Sequence, residues 1–593
     1  MTLLVLITSL ALGADDFKDW QKLVRRSTKE YVQAHRAIAR LDAKLLELEQ
    51  KQRGRVDERQ LKKFESLRTQ LRESLTLALS KLRAALASES NVPEARLRFP
   101  FLLELRSDVA SVGELLTLVQ GALSTAALDF CAGAAEADVL EVVDELLSSR
   151  GRFVDDDFSL LKTLLGSCEY AQLSDGFLDH CLAYAERYSF AKLGNARLGR
   201  FFYGESLRVL FSRDSKAVFE TLDARMRRGW SEFQPLTIKH LFLAEAAQRV
   251  ADQGAPAGRG AFDKLLVDLL SAELRWYRDR REPKGRGKAY LAPASYRASV
   301  YMLMDAYEKL YRGGPPDRES VRLISGFLDV SEPQVVKLGT TSVRKVTLTR
   351  RLCGKTLRLL RRWTGFQHLT WFEEWEATLG QEEVKLDPHD QDGRSKVRES
   401  SKRPSFYGIQ TDGGRVAFVL DFSGSMKREG MDFSLSLKKE AANFFRDARR
   451  GTLLNLVPYS TFASVSRTLT GAKSLYEKRQ EVGKLDEKIT RYLGSLKPHG
   501  VTSVQDGFRV AFSLNPVRDG VGLDDIVFVS DGMPTNRKGK LIAGAHYHDL
   551  LAYIIGVARL NAIRVHTVGF PGAQEALLRE ISSSTGGQHR MVR

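Results

Sequence analysis

Asp421, Ser423 and Ser425 stand at alternate positions directly after the apolar run Val416-Ala417-Phe418-Val419-Leu420. One carboxylate and two hydroxyls, with no thiol or imidazole among them, make a donor set for a hard divalent cation. Gly424, between the serines, is expected to let the backbone turn sharply there. Two later stretches offer the same chemistry: Thr502 in Gly500-Val501-Thr502-Ser503, and Asp531 in Ser530-Asp531-Gly532. Other donors fall short. His546 and His548 flank Tyr547 without a third ligand at helical spacing. No serine sits in a Gly-x-Ser-x-Gly elbow, and no His-Glu-x-x-His or dinucleotide glycine fingerprint occurs. Nothing in the sequence argues for an enzyme.

The elements around these residues alternate between two periods. Five consecutive apolar residues before Asp421 read as a short strand buried on both faces. Further strands are expected at Leu453 to Pro458, Ile526 to Ser530, Ile563 to Val568 and near Arg590. Helices are expected at Phe433 to Arg446, from about Val504, around Leu550 to Leu560, and at Glu575 to Ser583. Strands alternating with helices imply a parallel sheet covered on both faces, a doubly wound, Rossmann-like α/β domain. Ligands in such sheets bind beyond the C-terminal ends of the strands. Asp421 and Asp531 each follow a strand, so two carboxylates and three hydroxyls are expected at one sheet edge.

The ordered set Asp421-x-Ser423-x-Ser425, Thr502 and Asp531 resembles the metal-ion-dependent adhesion site (MIDAS) of the von Willebrand factor type A (VWA) domain. Thr567-Val568-Gly569-Phe570 and Gly586-Gly587 resemble that family's last two strands, and the resemblance covers roughly residues 406–593. Val501 departs from it, where many members carry a second glycine. The resemblance implies that the hydroxyls of Ser423, Ser425 and Thr502 ligate or orient a cation, and that Asp421 and Asp531 hold it directly or through water. Mg2+ is the implied ion, with Mn2+ or Ca2+ as alternatives. A site with few direct carboxylates stays electrophilic, so a partner's Asp or Glu can complete the shell. A cation-free loop satisfied by hydrogen bonds among the same residues is the alternative.

Upstream the periodicity is helical. Val24, Tyr31, Ile38 and Leu45, then Phe64, Leu67, Leu71, Leu75, Leu82 and Leu86, read as two heptad-like helices reversing near Gly54. This hairpin or coiled coil, residues 15–94, reads as a solvated spacer, with an oligomerisation or docking arm as the alternative. Residues 95–383 carry amphipathic segments broken by short turns, with strand-like alternation nearly absent, and suggest HEAT-like stacked helix pairs in an α-solenoid. Asp155-Asp156-Asp157 is read as a helix N-terminus rather than a metal site. Arg275 to Lys288 is read as a basic stretch ending in a loop, and Arg344 to Arg362 as a basic helix. Gly354-Lys355-Thr356 lacks the first glycine and the preceding strand of a phosphate loop, so no nucleotide cofactor is expected. Residues 384–405, dense in charge, Ser and Pro, read as a mobile linker.

Met1 to Ala14, apolar from Leu3 to Leu12, reads as a secretory signal without the usual basic start. Cleavage would place the protein outside the cytoplasm, periplasmic or secreted; otherwise it is cytoplasmic. No later stretch reaches transmembrane length without charges. Four scattered cysteines, Cys131, Cys168, Cys181 and Cys353, exclude a zinc ribbon and are read as buried apolar side chains. The 593 residues make a multidomain chain, and the net charge of +17 raises the question of an acidic partner. The favoured reading is a non-enzymatic, metal-dependent protein-binding protein, an adhesin or scaffold that captures a partner's carboxylate. An intracellular assembly factor working with a chaperone ATPase is the alternative. Nucleic-acid binding through the basic helical stretches ranks third.

Overall fold

A computed structural model describes residues 17–51, 58–87, short helical pieces between 101 and 127, 136–148 and 155–166. It also describes 173–381 apart from 189–192, 231–237, 254–258, 282–293, 313, 332–333, 339–340, 346–349, 367–368 and 370. The last described stretch is 404–592, apart from 412–413, 429–430, 449–451, 472–473 and 515–522. The expected signal at 1–14, the reversal at Gly54, Cys131, Cys168, nearly all of the expected linker and the loop end of the Arg275 to Lys288 stretch lie outside those residues. Packing divides the chain into two compact units, 1–177 and 178–593.

The first unit opens with α1 (Phe17–Lys51) and α2 (Glu58–Ala87), which pack against each other. Trp20 Nε1 donates to Ala85 O at 2.9 Å, and Arg68 pairs with Asp42 at 3.2 Å, so the helices run antiparallel. Trp20, Val24, Tyr31, Ala34 and Leu41 are buried against Ala78, Leu82 and Leu86. The predicted stripe loosens away from that end: Leu67, expected inside, is exposed. Helices α3 (Glu136–Ser148) and α4 (Asp155–Gly166) follow, the latter starting at the aspartate run.

The division falls within α5 (Asp175–Arg187), and the second unit continues with helices α6 (Ala196–Phe211), α7 (Ser215–Trp230), α8 (Ile238–Asp252), α9 (Arg259–Arg281), α10 (Ala294–Leu310) and α11 (Arg318–Ser331). An antiparallel hairpin, β1 (Gln334–Leu338) with β2 (Thr341–Lys345), interrupts the helices in a region read as nearly without strand-like alternation. Arg344 therefore lies in a strand, and the basic helix α12 starts later, at Arg350–Thr364, before α13 (Phe372–Leu379). The strands Gln334–Leu338 and Thr341–Lys345 are five residues each and mix apolar with charged residues on one face, so neither stood out against the flanking helical pattern. Within α12, Lys355 pairs with Asp305 and with Glu308, and Thr356 is buried, so Gly354-Lys355-Thr356 packs as mid-helix.

After a small hairpin of β3 (Ser405–Phe406) and β4 (Ile409–Gln410), the chain builds a mixed six-stranded sheet. The domain's elements in order are β5 (Arg415–Asp421), a separate hairpin of β6 (Lys427–Arg428) and β7 (Met431–Asp432), α14 (Phe433–Asp447), β8 (Leu453–Tyr459), β9 (Tyr476–Glu477) and α15 (Glu487–Ser495). Then come α16 (Val504–Phe512), β10 (Asp525–Ser530), α17 (Ala545–Leu560), β11 (Arg564–Gly569), α18 (Glu575–Thr585) and β12 (His589–Met591). The strand order is β12-β11-β10-β5-β8-β9, parallel except for β9, which runs antiparallel to β8. The expected strands and helices are all present, and the short strands β3, β4, β6, β7 and β9 and the helix α15 are additions. Alternate residues of each strand feed two apolar layers. Ala417, Val419, Val457 and Phe528 pack with Phe508, Ile554 and Leu578. Val416, Phe418, Leu420, Leu456 and Val527 pack with Leu437, Phe444 and Ile489 on the other face. Every residue of β5 and β10 is buried, which is why both read as unbroken apolar runs. The chain leaves central β5 toward β8 on one side and returns as β10 on the other. The C-terminal ends of β5 and β10 therefore flank the crevice where such sheets bind ligands.

Candidate functional site

Asp421 ends β5 and Asp531 follows β10, so parallel pairing of the two strands puts both carboxylates at one edge. Both are fully buried. Past Asp421 the chain makes a single 3-10 turn, Gly424–Met426, which swings Ser425 back toward β10. Ser423 Oγ and Ser425 Oγ lie 2.9 Å apart, and Ser425 Oγ donates to Asp531 Oδ1 at 2.8 Å. The Ser423 amide donates to Asp421 Oδ1 at 2.8 Å. A hydrogen-bonded path thus runs Asp421, Ser423, Ser425, Asp531 across the crevice.

Thr502 arrives from the loop before α16. A Cβ placed on Gly532 would sit 3.4 Å from Thr502 Oγ1 and 3.9 Å from Ser425 Oγ, so the two hydroxyls border the same small space beside Asp531. The Thr535 amide donates to Thr502 O at 2.9 Å and fixes that loop against the one after β10. All five residues singled out from the sequence come together. Gly424 has a different role from the one expected. Its φ is not left-handed; its amide instead donates to Gly500 O at 3.0 Å, and a Cβ there would stand 3.3 Å from that oxygen. The residue that needs glycine's conformational freedom is Gly500, with φ +71° and room for no side chain: a Cβ would fall 2.0 Å from Thr461 Oγ1.

Several supporting groups were not predicted. Tyr459, at the end of β8, lies with its hydroxyl 3.0 Å from both Asp421 Oδ2 and Val529 O, and Ser530 Oγ donates to Asp421 Oδ2 at 3.2 Å. Burial and the neighbouring Asp531 charge push the Asp421 carboxyl up to about 6, against hydrogen bonds from Ser423 and Tyr459. Burial and the Asp421 charge hold the Tyr459 phenol well above its ordinary value, so it stays a donor. Behind Thr502, Ser503 Oγ donates to Asp506 Oδ2 at 2.9 Å, and Arg537 grips Asp506 with two hydrogen bonds of 2.8 and 2.7 Å. Burial alone would raise the Asp506 carboxyl, but Arg537, Ser503 and Arg509 hold it below its ordinary value. Ser530 was visible beside Asp531; Tyr459 and Arg537 reach the site only through tertiary contact.

The donor set fits a divalent cation. It is all oxygen, and its two carboxylates are buried and mutually repulsive, a combination that a positive ion relieves. Among the described residues no group of three or more His, Cys, Asp or Glu gathers as a metal site. Three of the five oxygen donors here are hydroxyls, which lie outside such a grouping. His546 and His548 lie exposed on the first turn of α17.

No family model matches the chain, and no curated protein matches it. Among solved structures it is similar to the crystal structure of the pilus adhesin SpaC from Lactobacillus rhamnosus GG, at 14% identity and a TM-score of 0.23. The match covers 29% of this chain and 28% of that one, too little to bear on function. Among the described residues no helix is long and apolar enough to cross a membrane.

Proposed function

We propose that residues 406–593 form a domain of the von Willebrand factor A type, and that its sheet edge binds a divalent cation, Mg2+ first, in order to capture a carboxylate of another protein. The observation that carries this reading is the convergence of Asp421, Ser423, Ser425 and Asp531 on one hydrogen-bonded path, with the Thr502 hydroxyl beside it. Ser423, Ser425 and Thr502 would hold the ion through hydroxyls, and Asp421 and Asp531 directly or through water. Tyr459 and Ser530 orient Asp421, leaving its other oxygen toward the serines. The bound ion supplies an electrophilic centre with an exchangeable position, which is binding chemistry and not turnover. On this reading the helical segment that packs with the domain presents it, as a scaffold or adhesin would. The test is Mn2+ binding to the full chain, followed by electron paramagnetic resonance. Asp421→Ala is expected to abolish binding while the circular dichroism spectrum is kept; equal Mn2+ binding by wild type and variant would sink the proposal.

A further inference from the structure

The loops surrounding the carboxylate-lined crevice have a composition that the cation site alone does not call for. Residues 422–427, 460–470, 496–503 and 532–544 meet at this edge and contain no Asp or Glu. His499 N donates to Phe422 O at 2.8 Å, the Gly424 amide to Gly500 O, and the Thr535 amide to Thr502 O, so the loops form one continuous rim. Arg537 is occupied by Asp506. On the same loops Lys497, Lys538 and Lys540 are exposed, and Arg467 is half-buried with its guanidinium 4.4 Å over the Phe462 ring. The same loops expose three large apolar side chains: Leu541 at 63%, Phe462 at 45% and Met533 at 42%.

We propose that this rim selects an acidic polypeptide segment, one that offers apolar side chains beside the carboxylate it gives to the ion. The inference rests on the cation reading: a bound divalent ion cancels the two buried aspartates, Asp432 at the margin is spent capping α14 beside Lys427, and the charge left on the four loops is basic. Such a face speeds encounter with acidic partners and repels basic ones. The exposed aliphatic groups argue for polypeptide over polynucleotide. Met533 and Leu541 have no flat face on which a base would stack, and Arg467 already covers one face of Phe462. Apolar side chains of a peptide fit all three.

The experiment uses the full chain and a fluorescein-labelled peptide of glutamates flanking leucines, read by anisotropy in Mg2+ and in chelator. Mn2+ binding is measured in parallel. Comparison probes replace glutamate by lysine, replace leucine by serine, or are a single-stranded oligodeoxynucleotide. The double variant Lys538→Glu with Lys540→Glu, both on the surface, is expected to weaken the glutamate–leucine peptide roughly tenfold or more and leave Mn2+ binding intact. Leu541→Ser is expected to erase the advantage of leucine over serine. Equal binding of the lysine peptide or the oligonucleotide, or a double variant that binds like wild type, overturns the proposal. Mn2+ bound without peptide overturns the rim and leaves the cation site standing. Peptide bound in chelator without Mn2+, and still lost in the double variant, sinks the cation site and supports the rim.

Discussion

Asp421 is held in an unfavourable state that a ligand can relieve. It is fully buried, it faces Asp531 across two serines, and its carboxyl is raised to about 6 by burial and that neighbouring charge. Ionising both groups at neutral pH therefore costs the fold stability. Two outcomes follow for thermal melts of the full chain. Excess Mg2+ should stabilise the wild type, by about 2.7 kcal/mol at a hundredfold excess over Kd. Asp531→Asn should leave the chelated protein as stable as wild type or more so, and should remove the Mg2+ effect. A chelated variant markedly weaker than wild type would mean that Asp531 acts as a structural group.

Asp525 is the opposite case, at the start of β10, the strand paired with the one that Asp421 ends. Burial would raise its carboxyl, but Arg564, at 2.7 and 3.0 Å, and His566, at 3.4 Å, bring it well below its ordinary value. A depressed folded value means the contribution is complete above the unfolded carboxyl's value of about 3.9 and is lost as pH falls toward the folded one. Asp525→Ala should cost about 3–5 kcal/mol at neutral pH by stranding Arg564 in a buried setting. In urea titrations the gap between wild type and variant should stay constant above about pH 5 and narrow below about pH 4.

At the scale of elements, the loop before α16 is the most constrained part of the site. Gly500 combines a left-handed φ with contact against Thr461, and its carbonyl takes the Gly424 amide. Gly500→Ala should cost about 1–3 kcal/mol. Because the loop carries Thr502, it should also weaken Mn2+ affinity; an unchanged affinity would show that Thr502 keeps its place without this turn. Most of the sheet domain was legible in the sequence. Buried parallel strands are unbroken runs of Val, Leu, Ile and Phe, and loops at their C-terminal ends carry the small polar residues. Less legible was β9, since two residues at an edge leave no period to read. Tyr459 lies one residue past the strand expected at Leu453 to Pro458; only the pairing of β5, β8 and β10 turns its hydroxyl to Asp421. In α2 the heptad was visible, yet Leu67 is exposed although its neighbour Arg68 reaches Asp42 of α1 at 3.2 Å.

At the scale of the second unit, the helices do more than lead up to the sheet domain. Asp549, at the start of α17, accepts from the Gly194 and Arg197 amides and so caps α6 from across the interface. Arg200 reaches Glu580 at 3.4 Å, and Ala196 packs into the sheet domain's apolar layer. At the centre, Glu245 of α8 receives Arg559 of α17, Arg249 at 2.9 Å and the Tyr203 hydroxyl at 2.5 Å. Burial would raise the Glu245 carboxyl, and Arg559, Tyr203 and Arg249 hold it below its ordinary value. None of this could be read from the sequence, because Glu245 and Arg559 lie more than three hundred positions apart among many solvated charges. A buried pair of this kind stabilises little against an apolar replacement but is costly to break. Calorimetry of the wild type should therefore give one transition for helices α6 to α8 together with the sheet domain. Glu245→Ala, which strands Arg559, should cost about 3–5 kcal/mol and separate the helical transition from that of the sheet. Replacing both members, Glu245→Leu with Arg559→Leu, should rejoin them. If Glu245→Ala still unfolds in one transition at the wild-type temperature, the apolar contact around Ala196 and the Asp549 cap hold the two layers together without the ion pair.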